Sequence, residues 1–222
     1  MLKGVLLDVD GTLLDTERLF MDGWLRAARE LHYPLRYEQV LFFHGKGVHE
    51  NGVTFRKWFG ADADYEGTRA LRQNYVEERI AAEGVPTKPG LFVFLDYLRE
   101  KGLKIALATG TVRQEAAPRW EMAGLLPYVD ASVCGDEVTH NKPDPEIFLH
   151  AASLLGVPPQ DCIVFEDSPA GLAAGRAAGC RTCMIPDMEP ATEELRETLA
   201  DYVCDSLSAA AEMLEKEFFS GK

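Results

Sequence analysis

An apolar run that ends in two aspartates one residue apart constrains this chain more than any other stretch. In Gly4-Val5-Leu6-Leu7-Asp8-Val9-Asp10-Gly11-Thr12 the three apolar residues suit a short strand covered on both faces. Side chains alternate along a strand, so Asp8 and Asp10 point the same way if the extended backbone persists. Gly11 permits a sharp turn there, because it has no Cβ to exclude positive φ. Two acids at the end of a buried strand repel each other and lose hydration. They are tolerated beside a metal or a cation, or with one of them protonated. Those conditions also separate a nucleophile from a general acid. The plainer alternative is a strand ending in a polar turn.

The rest of the chain decides between the two. Residues 15–84 read as helical, with tracts over 15–32, 36–43, 53–59 and 65–83 and no strand pattern between them. A glycine-punctuated loop, His44 to Gly52, lies among these tracts, and Gly84-Val85-Pro86-Thr87-Lys88-Pro89-Gly90 reads as a linker. From Gly90 onward helices and strands alternate. Strands are expected at Lys104–Thr109, Ala131–Cys134, Cys162–Phe165 and Thr182–Ile185, with one more near 201–204. Asp144 suits the N-cap and Pro145 the first position of the helix after the third strand. Strands alternating with helices imply right-handed crossovers and a mostly parallel sheet. The expected fold is therefore α/β, a Rossmann-like parallel sheet core formed by 1–14 and 85–222. A helical cap domain, 15–84, is inserted after the first strand.

In such a sheet ligands sit beyond the carboxyl ends of the strands. Asp8, Asp10, Thr109, Glu166 and Asp167 all fall at those ends, and Lys142 lies close to the same edge. Each taken singly has a plain reading: a strand-ending turn for Thr109-Gly110, a solvated lysine for Lys142, a helix cap for Glu166 and Asp167. Their joint occurrence at successive strand ends points to phosphoryl chemistry, which needs charge spread over a metal and donors, with a nucleophile in line. Hard oxygen ligands suit Mg²⁺. Asp8 and Asp167 are read as direct metal ligands, joined by the Asp10 carbonyl, with Glu166 holding a coordinated water. Thr109, through its hydroxyl, and the Gly110 amide are read as phosphate donors, and Lys142 as the group that neutralises the carboxylates. With Mg²⁺ bound and Asp10 protonated, the charges of the four acids and Lys142 cancel.

Composition narrows the partners. The chain has 222 residues, 46% of them hydrophobic, and 23 basic against 36 acidic side chains give a net charge of −13. Nucleic acid and anionic membrane surfaces are disfavoured as partners, no stretch has the length of a membrane span, and no leader pattern opens the sequence. The expectation is a cytoplasmic protein, a monomer, acting on a small phosphorylated metabolite. The five cysteines sit in apolar runs and read as buried thiols. Cys180-x-x-Cys183 enters a strand, where positions three apart face opposite ways, so a redox pair is not expected.

Assembled in this way, the chain resembles the haloacid dehalogenase-like hydrolases, in particular the β-phosphoglucomutase-like phosphatases. Asp8-Val9-Asp10-Gly11-Thr12 matches the first motif of that family and Thr109-Gly110 the second. Lys142 within Asn141-Lys142-Pro143-Asp144-Pro145 matches the third, and Glu166-Asp167-Ser168 the fourth. The resemblance implies that Asp8 is a nucleophile carrying an aspartyl-phosphate. It implies that Asp10 is acid for the leaving group and then base for water, and that a cap closes over the site. The family's dehalogenases lack the second acid, so Asp10 favours an oxygen leaving group over a halide. β-Phosphoglucomutases carry a Gly-x-Ser-Arg-like cap loop and a histidine in the first cap helix. Here the loop reads Lys46-Gly47-Val48-His49-Glu50 and Phe20 stands in place of the histidine, which favours a phosphatase over the alternative, a sugar phosphomutase. Lys46 and His49 either contact substrate or face solvent as loop residues. A phospho-accepting regulatory domain is a third reading, opposed by Asp10, which would speed loss of the phosphate.

Overall fold

The computed structural model describes residues 1–43 and 47–220. Six strands, β1 (Gly4–Leu7), β2 (Lys104–Thr109), β3 (Ala131–Cys134), β4 (Cys162–Glu166), β5 (Arg181–Met184) and β6 (Tyr202–Val203), form one parallel sheet in the order β3-β2-β1-β4-β5-β6. The first strand is central, with β2 and β4 as its neighbours. Strand order therefore reverses beside β1, and an open crevice forms there at the carboxyl ends.

The two-residue period sorts the strand side chains into two cores. Val5, Leu7, Ile105, Leu107, Ile163 and Phe165 pack with residues of α5 (Leu91–Glu100), α6 (Arg113–Met122) and α10 (Leu207–Leu214). Leu6, Ala106, Ala108, Val133 and Val164 pack on the other face with α7 (Glu146–Leu155) and α8 (Pro169–Ala177). Cys183 belongs to the first core and Cys180 to the second. All five thiols are buried and unbridged, and burial pushes that of Cys180 up to about 12. The remaining helix of the α/β part, α9 (Glu193–Thr198), is short and precedes β6.

Between β1 and α5 come four helices: α1 (Glu17–Glu30), α2 (Tyr37–Leu41), α3 (Val48–Phe59) and α4 (Tyr65–Glu83). They bury a cluster of their own, in which Trp24, Phe43, Phe55 and Tyr65 meet at ring-centroid distances of 5.2 to 6.4 Å. The chain segments entering and leaving these helices run side by side. Leu14 bridges Thr87, the Asp15 amide donates to the Pro86 carbonyl, and the Lys88 amide donates to the Leu13 carbonyl. No helix among the described residues is long and apolar enough to cross a membrane.

Two local expectations are corrected. Helix α3 starts at Val48, five residues before the expected tract. Gly52, read as part of a loop, lies inside it; a Cβ there would stand 2.9 Å from the Tyr65 ring, so the glycine serves helix packing rather than a turn. Helix α7 starts at Glu146, with Pro145 as N-cap and Asp144 outside the helix. The Asp144 carboxylate still accepts the Glu146 amide at 3.0 Å.

Candidate active site

Three strand ends, those of β1, β2 and β4, and the loop between β3 and α7 converge beyond the carboxyl edge of β1. The turn after β1 depends on Gly11, whose φ is +88° and whose Cβ would fall 1.9 Å from the Asp167 Oδ2. Any side chain at position 11 would displace Asp167, so the turn and the β4 carboxylate are built together.

Lys142 is buried at the centre of the acids. Its Nζ donates to Asp8 Oδ1 at 2.6 Å, to Glu166 Oε1 at 2.7 Å and to the Ala108 carbonyl at 3.1 Å. The Thr12 hydroxyl donates to Asp8 Oδ2 at 3.2 Å. Glu166 is filled on its other side by the Ser168 amide and hydroxyl, both at 2.8 Å. Ser168 also caps α8 by accepting the Gly171 amide. A Cβ on Gly171 would meet Glu166 Oε1 at 1.8 Å, so this glycine makes room for the carboxylate. Burial pushes Asp8 well above the usual aspartate value, and the neighbouring Glu166 and Asp167 add to that against the pull of Lys142. Burial acts the same way on Glu166, but Lys142 and the Ser168 donors outweigh it and leave it lowered. Burial opposes the charge on Lys142, yet Asp8 and Glu166 raise its pKa overall.

Asp10 sits in different surroundings. Its Oδ1 accepts the Thr16 hydroxyl at 2.7 Å, and its Oδ2 accepts those of Thr111 at 2.9 Å and Thr109 at 3.2 Å. Thr16 occupies the N-cap of α1 but makes no side-chain capping bond. Its hydroxyl is spent on Asp10 instead.

Carboxylate oxygens of Asp8, Glu166 and Asp167 lie within 4.8 Å of one another, all buried. Three acids around one lysine leave a charge deficit that a hard divalent cation would fill, and an all-oxygen donor set suits Mg²⁺. Asp8 and Asp167 are the better-placed donors, because Glu166 already accepts three donors at 2.7 to 2.8 Å whereas Asp8 Oδ2, among the described residues, accepts only the Thr12 hydroxyl at 3.2 Å. The Asp10 carboxylate is not part of the cluster.

Of the candidate residues, Asp8, Asp10, Thr109, Gly110, Lys142, Glu166 and Asp167 all line one cleft of about 120 Å³. Thr109 differs in detail from expectation, since its hydroxyl already serves Asp10 and accepts the Thr111 amide at 3.1 Å. His49 is not brought to the cleft. It stands exposed on the first turn of α3. Lys46 lies outside the described residues. Sequence reasoning did not assign Thr16, Thr111, Arg69 or Arg72. The last two line the cleft from α4, together with Phe20, Met21 and Trp24 of α1. Phe20 is buried, with the guanidinium carbons of Arg72 and Arg119 at 4.6 and 5.1 Å from its ring centroid.

Comparison with known proteins adds the following. The family described as haloacid dehalogenase-like hydrolase matches residues 2–179. Hexitol phosphatase A of Escherichia coli (strain K12) is 35% identical, over 82% of this chain and 82% of its own length. A phosphorylated carbohydrates phosphatase of Thermotoga maritima is 34% identical, over 80% and 82%. The crystal structure of CbbY from Rhodobacter sphaeroides in complex with phosphate superposes with a TM-score of 0.77 at 25% identity, over 94% of this chain and 96% of that one.

Proposed function

The chain belongs to the haloacid dehalogenase-like hydrolases, and from that membership we propose that it is a Mg²⁺-dependent phosphatase of a small phosphorylated carbohydrate, working through an aspartyl-phosphate on Asp8. The observation that carries this reading is the unlike housing of two carboxylates on one strand end. Asp8 is gripped by Lys142 at 2.6 Å, and Asp10 is held by three threonine hydroxyls. Relatives that bear the names of sugar and sugar-alcohol phosphatases support the substrate class.

In this mechanism Lys142 favours the ionised form of Asp8 and so opposes the effect of burial, and the Thr12 hydroxyl fixes the carboxylate plane. An Asp8 oxygen attacks phosphorus, forming the acyl-phosphate bond as the ester P–O bond breaks. Asp10 gives its proton to the departing oxygen. Asp10 then takes a proton from water attacking the same phosphorus, which frees inorganic phosphate and restores Asp8. Bound through Asp8, Asp167 and the Asp10 carbonyl, Mg²⁺ would neutralise charge on the transferring group. Thr16, Thr109 and Thr111 orient Asp10 through both steps, and Glu166 positions Lys142. The Gly110 amide is assigned to the phosphate. Residues 15–84 are taken as a cap domain over a core of 1–14 and 85–222, shielding the acyl-phosphate from bulk water. With a net charge of −13, the protein is taken to act as a cytoplasmic monomer on a free metabolite, without nucleic-acid or membrane partners.

Phosphate release is to be measured across sugar, sugar-alcohol, nucleotide and short-acid phosphates, with Mg²⁺ and with EDTA. Release from a phosphorylated carbohydrate is expected with Mg²⁺ alone. Asp8→Asn is expected to lower it by at least about three orders of magnitude while circular dichroism stays unchanged. Interconversion of hexose phosphates without free phosphate would favour the mutase. A phosphoenzyme persisting for hours would favour the regulatory domain, and full activity in Asp8→Asn would remove the proposed nucleophile.

A further inference from the structure

A second positive group faces the cleft from the helical side. Where α4 meets α6, three arginines stand together: Arg69 and Arg72 on α4, and Arg119 on α6. Two are paired across the seam, Arg69 with Glu115 and Arg119 with Glu77, the latter at 2.7 Å. Arg72 has no carboxylate partner among the described residues. Its Nη1 donates to the neutral side chain of Gln73 at 2.6 Å, its Nε is buried without an acceptor, and its Nη2 has no acceptor among the described residues. The guanidinium lies 4.6 Å from the Phe20 ring centroid and 5.4 Å from that of Trp24, and Arg72 lines the same cleft as Asp8. Burial pulls Arg72 down to about 10. Glu115 and Glu17 oppose this through space, and Arg119 and Arg69 work against them.

A guanidinium set among aromatic rings with unused donors is left under-compensated. A ligand anion would supply what the protein withholds, because a carboxylate or phosphate accepts two parallel N–H bonds whereas a hydroxyl accepts one weaker bond. We infer that Arg72 receives a second acidic group of the substrate, a carboxylate or a further phosphate, at the end remote from the phosphoryl group transferred to Asp8. This rests on the phosphatase reading above and narrows it from phosphorylated carbohydrates to acidic ones.

The test compares esters of one carbon chain: glucitol phosphate and phosphogluconate, both esterified at the sixth carbon, and a hexose monophosphate against its bisphosphate. The first pair reports a carboxylate and the second a phosphate. In the wild type, at least one acidic ester is expected to exceed its neutral counterpart in kcat/KM by about tenfold or more, mostly through KM. Arg72→Met is expected to remove that ratio, and Arg72→Lys, which keeps the charge without the fork, to retain part of it. Neutral esters turned over as well as both acidic ones would overturn the inference and leave the phosphatase reading standing. So would a preference that survives Arg72→Met. If Arg72→Met does not fold, the wild-type ratios and Arg72→Lys decide the question. Phosphate release from none of the four esters would overturn both readings.

Discussion

Lys142 is the residue on which the site's electrostatics turn. Its buried ammonium donates to three oxygens, and two of them belong to carboxylates. The sequence offered only a lysine near a strand end, with neutralisation of the acids as its role. That it also bonds the Ala108 carbonyl, and is itself steered by Glu166, appears only when β2 and β4 flank β1. Removing one member of a buried ion group leaves the others uncompensated. Lys142→Ala is therefore expected to destabilise the metal-free protein by about 3–5 kcal/mol, read from urea unfolding in EDTA at mildly alkaline pH. Saturating Mg²⁺ should restore part of the loss. A change within experimental error would mean that Asp8 and Glu166 do not carry charge together. Thr16 and Thr111 were not legible because their partner is remote in kind. Thr16 reads locally as a helix cap, and nothing in a sequence window shows that its hydroxyl turns to Asp10 instead.

At the scale of elements, the strands were the most legible part, since their apolar runs end abruptly at polar residues and both faces are covered. Loop-to-helix boundaries were less so, as α3 shows, because Gly52 was chosen for contact with Tyr65 on another helix. Least visible was the brace between the sheet and the inserted helices. Asp187, in the loop after β5, is nearly buried and accepts Arg18 Nη1 and Lys88 Nζ, each at 2.7 Å. Asp15 joins both cations at 3.3 and 3.2 Å. Arg18 opens α1 and Lys88 precedes α5, so one carboxylate fastens both connecting segments, and Met188 beside it packs on the helical core. Asp187→Ala removes two charged hydrogen bonds and should cost about 1–3 kcal/mol. Hydrogen exchange should quicken at residues 13–20 and 85–90 more than in the sheet. Unchanged exchange in those segments would show that backbone pairing alone holds them.

For the whole molecule, the sheet order places residues 8, 109, 142 and 166 of one chain around a single point, so a cation bound there would be linked to folding. The order itself was not legible: strand alternation implies parallel strands, but which side of β1 the chain returns to after β3 is settled by packing. With no metal, the folded protein confines three carboxylates around Lys142. Mg²⁺ that binds the folded state alone should add about 2.7 kcal/mol at a hundredfold excess over Kd, roughly 5–10 °C in Tm for a chain of this size. The sign with pH follows from Asp8. Its pKa in the folded, metal-free protein stands above an aspartate's usual 3.8, so its share of stability is present at acid pH and lost as pH rises through the raised value. Over that same range protons leave the site and cease to compete with the cation. Glu166 is lowered below the usual 4.5, so its contribution disappears only at more acid pH and does not mask the trend. Calorimetry in EDTA and in Mg²⁺ should then show a gap in Tm that widens from acid to neutral pH. Asp8→Asn should flatten it, since that variant has no proton to lose and no charge to share with the cation. A gap of constant width in the wild type, or one that narrows toward neutrality, would place the cation away from Asp8.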